Sequence, residues 1–237
     1  VSLGNVAGVS ELSFFGANAA VPAVVNGEPI WHPSLLTYPF PTAAKTLTIS
    51  STHADDTADG VGMRSATVKW IDFTTGLENT LVVALNGATP VTITENGYLP
   101  NLVEGASYGS NGQNVGLISL GYGLVTGGVP ANILSQIPYV TNIAPQAIYT
   151  VPAGKTFDIS QAIFAASGVA TFQIREYLFG AETAQYRLRN QTMITNVFDA
   201  MGRDGIISIA ARNTVVIQAI GPLGTTSVTA SIKGFLR

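Results

Sequence analysis

The sequence predicts an all-β protein, an antiparallel β-sandwich that is jelly-roll-like. Apolar and polar residues alternate with period two in many short segments, which is the pattern of half-buried strands. The 25 Gly and 12 Pro residues supply frequent turns. Strand-like segments recur about every 10 residues without helical patterns of about 12 residues between them, which favours a sandwich or jelly roll over a mixed fold.

The chain is expected to begin with an extended N-terminal arm. Residues 1–37 show no sustained period and contain three prolines, so we expect extended chain with one short strand near Leu12–Phe15. Residues 38–237 then form the β-sandwich domain. An alternative is that this domain consists of two β units joined near residues 125–145.

Regular strands begin after this arm. The first three alternate clearly and are predicted at Thr46–Ser50, Ala66–Ile71 and Leu81–Leu85. A hairpin loop is expected at Thr74–Asn79, and Asn86-Gly87 suits a tight turn with positive φ. The last third of the chain resumes the pattern, with strands predicted at Thr156–Ile159, Thr171–Tyr177, Tyr186–Arg189, Ile206–Ala210, Thr214–Ile220 and Ser227–Gly234.

Two short helical turns are also predicted, at Ser160–Ala166 and Asn196–Met201. Ser160 and Asn196 are residue types that cap helices well, because their side chains accept hydrogen bonds from the first free N–H groups.

The chain is poor in charge. Charged residues make up 11% of it, against roughly 25% in an ordinary soluble domain. The surface must therefore be built largely from uncharged side chains, which suggests that much of it is buried in an assembly. The alternative is a secreted or thermally robust β protein with an uncharged surface. Cysteine is absent, which excludes disulfides and thiol chemistry.

The placement of basic residues disfavours a nucleic-acid partner. No Lys or Arg precedes Lys45, so the N-terminal arm cannot neutralise a packaged genome. Eight of the eleven basic residues are scattered from Lys155 onward. No run of about 18 apolar residues is present, so we expect no membrane-spanning segment.

Residues 105–154 contain no charged residue at all. Two interpretations remain open: the rest of the same domain covers this stretch, or the stretch forms an interface between subunits.

Three motifs resemble catalytic or metal sites only in part. Asp55, Thr57 and Asp59 imitate the start of an EF-hand loop, but the twelfth position is Ala66 instead of Glu, so a plain acidic turn is the favoured interpretation. Gly105-Ala-Ser107-Tyr-Gly109 matches a nucleophile elbow in letters, but both histidines lie upstream of it. Glu176 and Glu182 have no spacing that singles them out as a glycosidase pair. No catalytic, cofactor-binding or metal-binding residue is therefore predicted.

Several segments resemble a family of virion structural proteins of tailed phages. In that family a run of the form S-s-x-x-x-D-T-A-x-G-x-G-x-R precedes a strand and a polar hairpin, followed by L-N-G-x-x-P-V and later by G-S-x-G-x-N-V-G-x-I. The corresponding residues here are Ser51–Arg64, Leu85–Val91 and Gly109–Ile118, with further likeness in Ser13–Asn18, Trp31 and Tyr38–Pro41. The central hairpin departs from the family in reading Ile71-Asp-Phe-Thr-Thr-Gly-Leu-Glu.

The resemblance implies a non-enzymatic virion structural protein. It would be a capsid decoration (cement) or minor capsid protein on the outer surface of the phage head. Its partners would be further copies of itself, as a trimer or other homo-oligomer, and the major capsid protein or other virion proteins. The alternative is a tail-fibre or adaptor protein that recognises host surface glycan, with exposed Trp31, Tyr108 and Tyr122 stacking on sugar.

Overall fold

The computed structural model consists of antiparallel β-sheets. It describes residues 8–21, 27–33, 37–180, 186–194, 199–221 and 226–237. Within these residues all regular structure is strand, which confirms the predicted all-β fold class. The described residues include no helix that could cross a membrane. The chain forms two compact units: a terminal unit, Val1–Ile30 with Gln146–Arg237, and an inserted unit, Trp31–Pro145.

The terminal unit contains two antiparallel sheets. The first has the strand order β1-β15-β10-β13, and the second has the order β12-β11-β14-β2, with β9 also paired to β14. The strands are β1 (Ser10–Val21), β2 (Glu28–Pro29), β9 (Ile148–Thr150), β10 (Phe157–Ala166), β11 (Ala170–Tyr177), β12 (Tyr186–Ile194), β13 (Asp199–Ile209), β14 (Thr214–Ile220) and β15 (Thr226–Leu236).

The strand order of the terminal unit is that of a jelly roll. With β2 and β9 counted together as one strand, the first strand pairs with the last, the second with the seventh, the third with the sixth, and the fourth with the fifth. This is the pairing of one long hairpin rolled into two sheets, which gives the Greek-key connections of the jelly roll. The jelly-roll expectation is therefore confirmed for this unit.

One hydrophobic core lies between the two sheets. It draws buried residues from both sheets, including Phe164 on β10 and Phe172 on β11, whose rings stack with centroids 4.8 Å apart. Alternate residues of β10 point inward, since Ala162, Phe164 and Ala166 are buried. Shortening a fully buried Phe in such a core costs about 3–5 kcal/mol.

The second strand of the jelly roll is interrupted by the whole inserted unit. Pro29 pairs with Gln218, and Ile148 pairs with Val216, so one residue position opposite Ile217 lies between the two halves. At that position the N–H of Ile30 donates to the Ile217 oxygen at 2.9 Å, and the N–H of Ile217 donates to the Ala147 oxygen at 2.9 Å. Ile30 and Ala147 thus share the hydrogen bonds of a single strand residue.

The inserted unit is one six-stranded antiparallel sheet with the order β5-β4-β6-β3-β7-β8. Its two ends are joined, because the N–H of His32 donates to the Pro145 oxygen at 3.2 Å. The strands are β3 (Lys45–Ser51), β4 (Met63–Asp72), β5 (Glu78–Ala84), β6 (Val91–Tyr108), β7 (Ile118–Thr126) and β8 (Val129–Ile137).

The long strand β6 changes partner at Gly97. Its first part pairs with β3 and its second part with β4, and Gly97 is opposite both Lys45 and Asp72. A Cβ on Gly97 would lie 2.3 Å from the Leu47 side chain, so only glycine allows this close crossing.

The structure differs from the expected N-terminal arm. Ser10–Val21 is strand β1, paired along its length with β15, and it supplies Phe14 and Val21 to the core region. The predicted short strand near Leu12–Phe15 lies within β1, and the small residues at positions 16–20 give the rest of that strand no clear apolar period. The predicted division of the chain lies after residue 37, with a junction of two β units near residues 125–145 as the alternative. The two compact units of the structure meet in the chain after Ile30 and after Pro145.

The predicted helical turn at Ser160–Ala166 is wrong, because this segment is the second half of strand β10. Its Gln and Ala residues favour helix locally, but burial of every second side chain outweighs that preference. The predicted turn at Asn196–Met201 begins outside the described residues, and Asp199–Met201 belongs to strand β13.

Candidate functional site

The carboxylate of Asp56 is the centre of a buried polar cluster in the inserted unit. Asp56 is fully buried. Its Oδ1 accepts hydrogen bonds from the backbone N–H of Met63 and of Val115, both at 2.9 Å. Its Oδ2 accepts from the Ser51 hydroxyl at 2.6 Å and from the Gly116 N–H at 2.7 Å. We call these five residues the Asp56 cluster.

Glycines surround the cluster because the chain approaches itself there. A Cβ on Gly62 would lie 2.2 Å from Asp56 Oδ1, and one on Gly116 would lie 2.5 Å from the Ser51 hydroxyl. A Cβ on Gly60 would lie 2.1 Å from the Asp55 oxygen, and one on Gly109 would lie 2.2 Å from the Gly60 oxygen. These glycine positions leave no room for a side chain.

The Leu85-Asn86-Gly87 turn joins the same cluster. The N–H of Gly87 donates to the Asp56 backbone oxygen at 2.9 Å, and the Ser51 N–H donates to the Gly87 oxygen at 2.8 Å. Gly87 has the expected positive φ, 56°. The three sequence motifs of the inserted unit therefore meet at one residue.

Asn114, beside the Asp56 cluster, also joins separate backbone segments through side-chain hydrogen bonds. It is fully buried, and its Nδ2 donates to the backbone oxygens of Gly116 at 2.7 Å and Pro138 at 2.6 Å. Its Oδ1 accepts from the Thr141 N–H at 3.0 Å. Asn114 thereby connects the segment before β7 to the segment after β8.

The acidic turn Asp55–Gly60 has a structural role, because its buried carboxylate is fully hydrogen-bonded within the chain. A carboxylate has about four lone-pair positions, and Asp56 uses all of them for hydrogen bonds within the chain. Asp59 is exposed, and the half-exposed Asp55 carboxylate lies 3.7 Å from His53 Nδ1. Among the described residues no group of three or more acidic or His side chains is placed to hold a metal ion.

Ser107 lies in an environment unlike that of a nucleophile elbow. It is near the end of strand β6 and is exposed, and its hydroxyl is 2.6 Å from the Ser65 hydroxyl on β4. The elbow requires a sharp turn from strand to helix, whereas Ser107 is within an extended strand.

Glu176 is engaged by other groups of the terminal unit. It is fully buried, and its Oε2 accepts from Arg189 Nε at 2.7 Å. Its Oε1 accepts from Asn213 Nδ2 at 2.7 Å. Glu182, the other carboxylate considered for a glycosidase pair, lies outside the described residues.

The aromatic residues expected to stack on sugar are not freely exposed. Trp31 is buried and packs edge-on against Tyr38, with ring centroids 4.7 Å apart. Tyr122 is partly buried beneath the Lys45 ammonium, 5.2 Å from the ring centroid. Tyr108 is also partly buried, and burial together with the nearby Glu104 charge raises its pKa above the ordinary value.

The charge-free stretch 105–154 contains both buried and exposed apolar residues. Ile118, Leu120 and Leu134 lie in the core of the inserted unit. Four large apolar side chains of the same stretch are instead exposed, with exposed fractions of 79% for Leu124, 53% for Tyr139, 63% for Val140 and 46% for Ile143. The first interpretation therefore holds for the buried residues, and the exposed residues are the part of the stretch for which the interface remains a prediction.

The fold and this cluster define a two-unit β protein: a jelly roll with a second antiparallel sheet inserted into one strand and organised around a buried Asp. No protein-family profile matches the chain, and no curated protein matches it. Among solved structures it is similar to that of infectious bursal disease virus, Gx strain, with 12% identity and a TM-score of 0.24 over 96% of this chain and 70% of the other. It is also similar to the infectious bursal disease virus VP2 subviral particle, with 12% identity and a TM-score of 0.12 over 96% and 76% of the chains. At these TM-scores neither likeness bears on the fold or the role of this chain.

Proposed function

We propose that the protein is a non-enzymatic structural component of a phage virion that decorates or completes the head. The observation that carries the proposal is the jelly-roll strand order of the terminal unit, an architecture found in viral capsid domains and also in lectins and cupins. A fold alone does not specify a role. The choice among capsid proteins, lectins and cupins therefore depends on the surface of the protein and on its sequence motifs.

The surface favours a protein that is covered by neighbours. Leu124 and Val140 are more than half exposed within a stretch of fifty residues that has no charge. Exposed apolar side chains without nearby charge cost solubility in a free protein, whereas contact with other subunits buries them.

The motifs that resemble phage virion proteins favour the same class. Their Asp, Gly and Asn letters correspond here to Asp56, to the glycines packed against it, and to Asn86 and Asn114. Among these residues Asp56, Gly62, Gly116 and Asn114 lie in or beside one buried cluster, so the resemblance includes residues that hold the inserted unit together.

In this role the protein acts by burying surface. A homo-oligomer such as a trimer, bound to the major capsid protein or to other virion proteins on the outside of the head, would bury about 1,000 Å² or more per contact. Repetition by symmetry then gives firm attachment without any single strong site.

The proposal is tested on purified phage particles. We expect mass spectrometry to detect the protein in many copies per particle, and gold-labelled antibodies against it to mark the heads. Absence of the protein from the particles would overturn the proposal. Labelling of the tails alone would replace head decoration with the tail-fibre or adaptor role.

A further inference from the structure

Strand β5 forms one edge of the six-stranded sheet of the inserted unit. It pairs with β4 without a bulge, from Ser65 opposite Ala84 to Ile71 opposite Glu78. Among the described residues no strand pairs with its other side. Four consecutive residues, Asn79 to Val82, are exposed although their side chains alternate between the two faces.

The hydrogen bonds at its two ends show which backbone groups face outward. The N–H of Leu85 donates to the Arg64 oxygen, and the N–H of Asp72 donates to the Leu77 oxygen, both at 2.9 Å. Hydrogen-bonded pairs alternate in an antiparallel ladder, so the odd-numbered residues of β5 bond to β4. The N–H and C=O groups of Glu78, Thr80, Val82 and Ala84 therefore point away from the sheet.

This edge lacks the features that usually prevent strands from pairing. Natural edge strands carry Lys, Pro or a bulge at exposed positions. Here the exposed residues include Leu81 and Val82, with exposed fractions of 39% and 60%. The one charged residue, Glu78, lies at the end of the strand and accepts a hydrogen bond from Asn101 Nδ2 at 2.7 Å.

The sequence of β5 is complementary to itself. If two copies meet antiparallel about a twofold axis at Leu81, Thr80 lies opposite Val82 of the second copy and Glu78 lies opposite Ala84. All four outward-facing residues then form hydrogen-bonded pairs, the two Leu81 side chains meet at the axis, and no charge is opposite a like charge.

We propose that β5 pairs with β5 of a second copy of this chain and joins two inserted units into one continuous twelve-stranded sheet (6 + 6 strands). The contact is isologous, so each copy supplies the same edge. It is distinct from any threefold contact, and it holds whether or not the protein is part of a virion.

Sedimentation velocity of the full chain tests the pairing. We expect an assembly with an even number of copies, and we expect Leu81→Lys to halve its mass because two ammonium groups then face each other across the axis. Like charges in that position weaken association by about 100-fold or more. Val61→Lys is the matched control: it places a Lys at an apolar site of the same unit with nearly the same exposed fraction, 41% against 39% for Leu81, and the mass should not change. Mixing Leu81→Lys with Leu81→Glu should restore the pair.

Hydrogen exchange on the unmodified chain gives a test that no variant can compromise by misfolding. The amides of Thr80 and Val82 should exchange fast at low protein concentration and become protected as the concentration rises, whereas the amides of Leu81 and Val83 are protected throughout. A monomer or an odd-numbered assembly would overturn the proposal. So would equal effects of the two Lys variants, or protection of Thr80 and Val82 that does not depend on concentration.

Discussion

The Asp56 carboxylate accepts a hydrogen bond from the backbone N–H of Gly116 at 2.7 Å, across a separation of 60 residues. This bond and its three companions fix the acidic turn against the segment that leads into β7. A turn that reads as solvated in the sequence is thus a buried anchor for the inserted unit.

Asp56→Ala should destabilise the inserted unit by about 3–5 kcal/mol, because it leaves three backbone N–H groups and one hydroxyl buried without an acceptor. Urea unfolding followed by tryptophan fluorescence measures this effect, since Trp31 and Trp70 both lie in the inserted unit. Asp59→Asn, at an exposed position of the same turn, should change the stability by less than about 0.5 kcal/mol. Equal effects of the two variants would contradict the anchoring role of Asp56.

Gly62→Ala should cost about 1–3 kcal/mol by overpacking, because the added methyl would lie 2.2 Å from Asp56 Oδ1, an oxygen of a carboxylate that four hydrogen bonds hold in place. Gly168→Ala is the control, since its methyl would make an ordinary contact at 3.6 Å with the Thr226 hydroxyl. Thermal unfolding of both variants provides the comparison. A Gly62→Ala variant as stable as the parent would show that the glycine is not required there.

His32 should make the stability of the inserted unit depend on pH. Burial lowers the pKa of His32 below its ordinary value of 6.5, and its buried Nε2 has no hydrogen-bond partner among the described residues. The unfolded chain therefore binds a proton more readily than the folded chain. The contribution of the neutral ring is complete above pH 6.5 and is lost as the pH falls toward the lowered pKa. His32→Gln should flatten this part of the stability profile, and a profile identical to that of the parent would exclude His32 as the cause.

Removal of residues 31–147 should leave a jelly roll that folds by itself. With Ile30 followed directly by Ile148, the pairing of the interrupted strand with β14 continues in register, as Pro29 opposite Gln218 and Ile148 opposite Val216 require. We expect a β-type circular dichroism spectrum and one cooperative unfolding transition. A molten or aggregated product would show that the terminal unit depends on the insertion.

The sequence predicts the strands better than it predicts their arrangement. Period-two alternation locates β4 and β14 because a half-buried strand is a local pattern. The helical turn expected at Ser160–Ala166 fails because its local preference is opposed by contacts with β13 and β15, which are distant in the chain. The interruption of a strand between Ile30 and Ala147 leaves no local signal, since each half reads as a separate short segment.

For the site, too, the sequence predicts the local motifs better than it predicts their arrangement. The sequence identifies the acidic turn and the glycine-rich segment near Asn114, and the resemblance to virion proteins associates them. The turn has three carboxylates, however, and only the fold shows that Asp56 is buried while Asp59 is exposed. The free edge of β5 is equally invisible in the sequence, because it depends on which strands lie beside it.

The interrupted strand also implies an order of folding. In an unfolded chain, bringing Ile30 to Ala147 requires closure of a loop of more than a hundred residues, which costs about 3 kcal/mol more than closing a short loop. Once the inserted unit has folded, the hydrogen bond from His32 to Pro145 holds its two ends together and most of that entropy has already been lost. We therefore expect the inserted unit to fold first and the jelly roll to be completed afterwards. The folded insertion lowers the entropy cost of bringing Ile30 to Ala147.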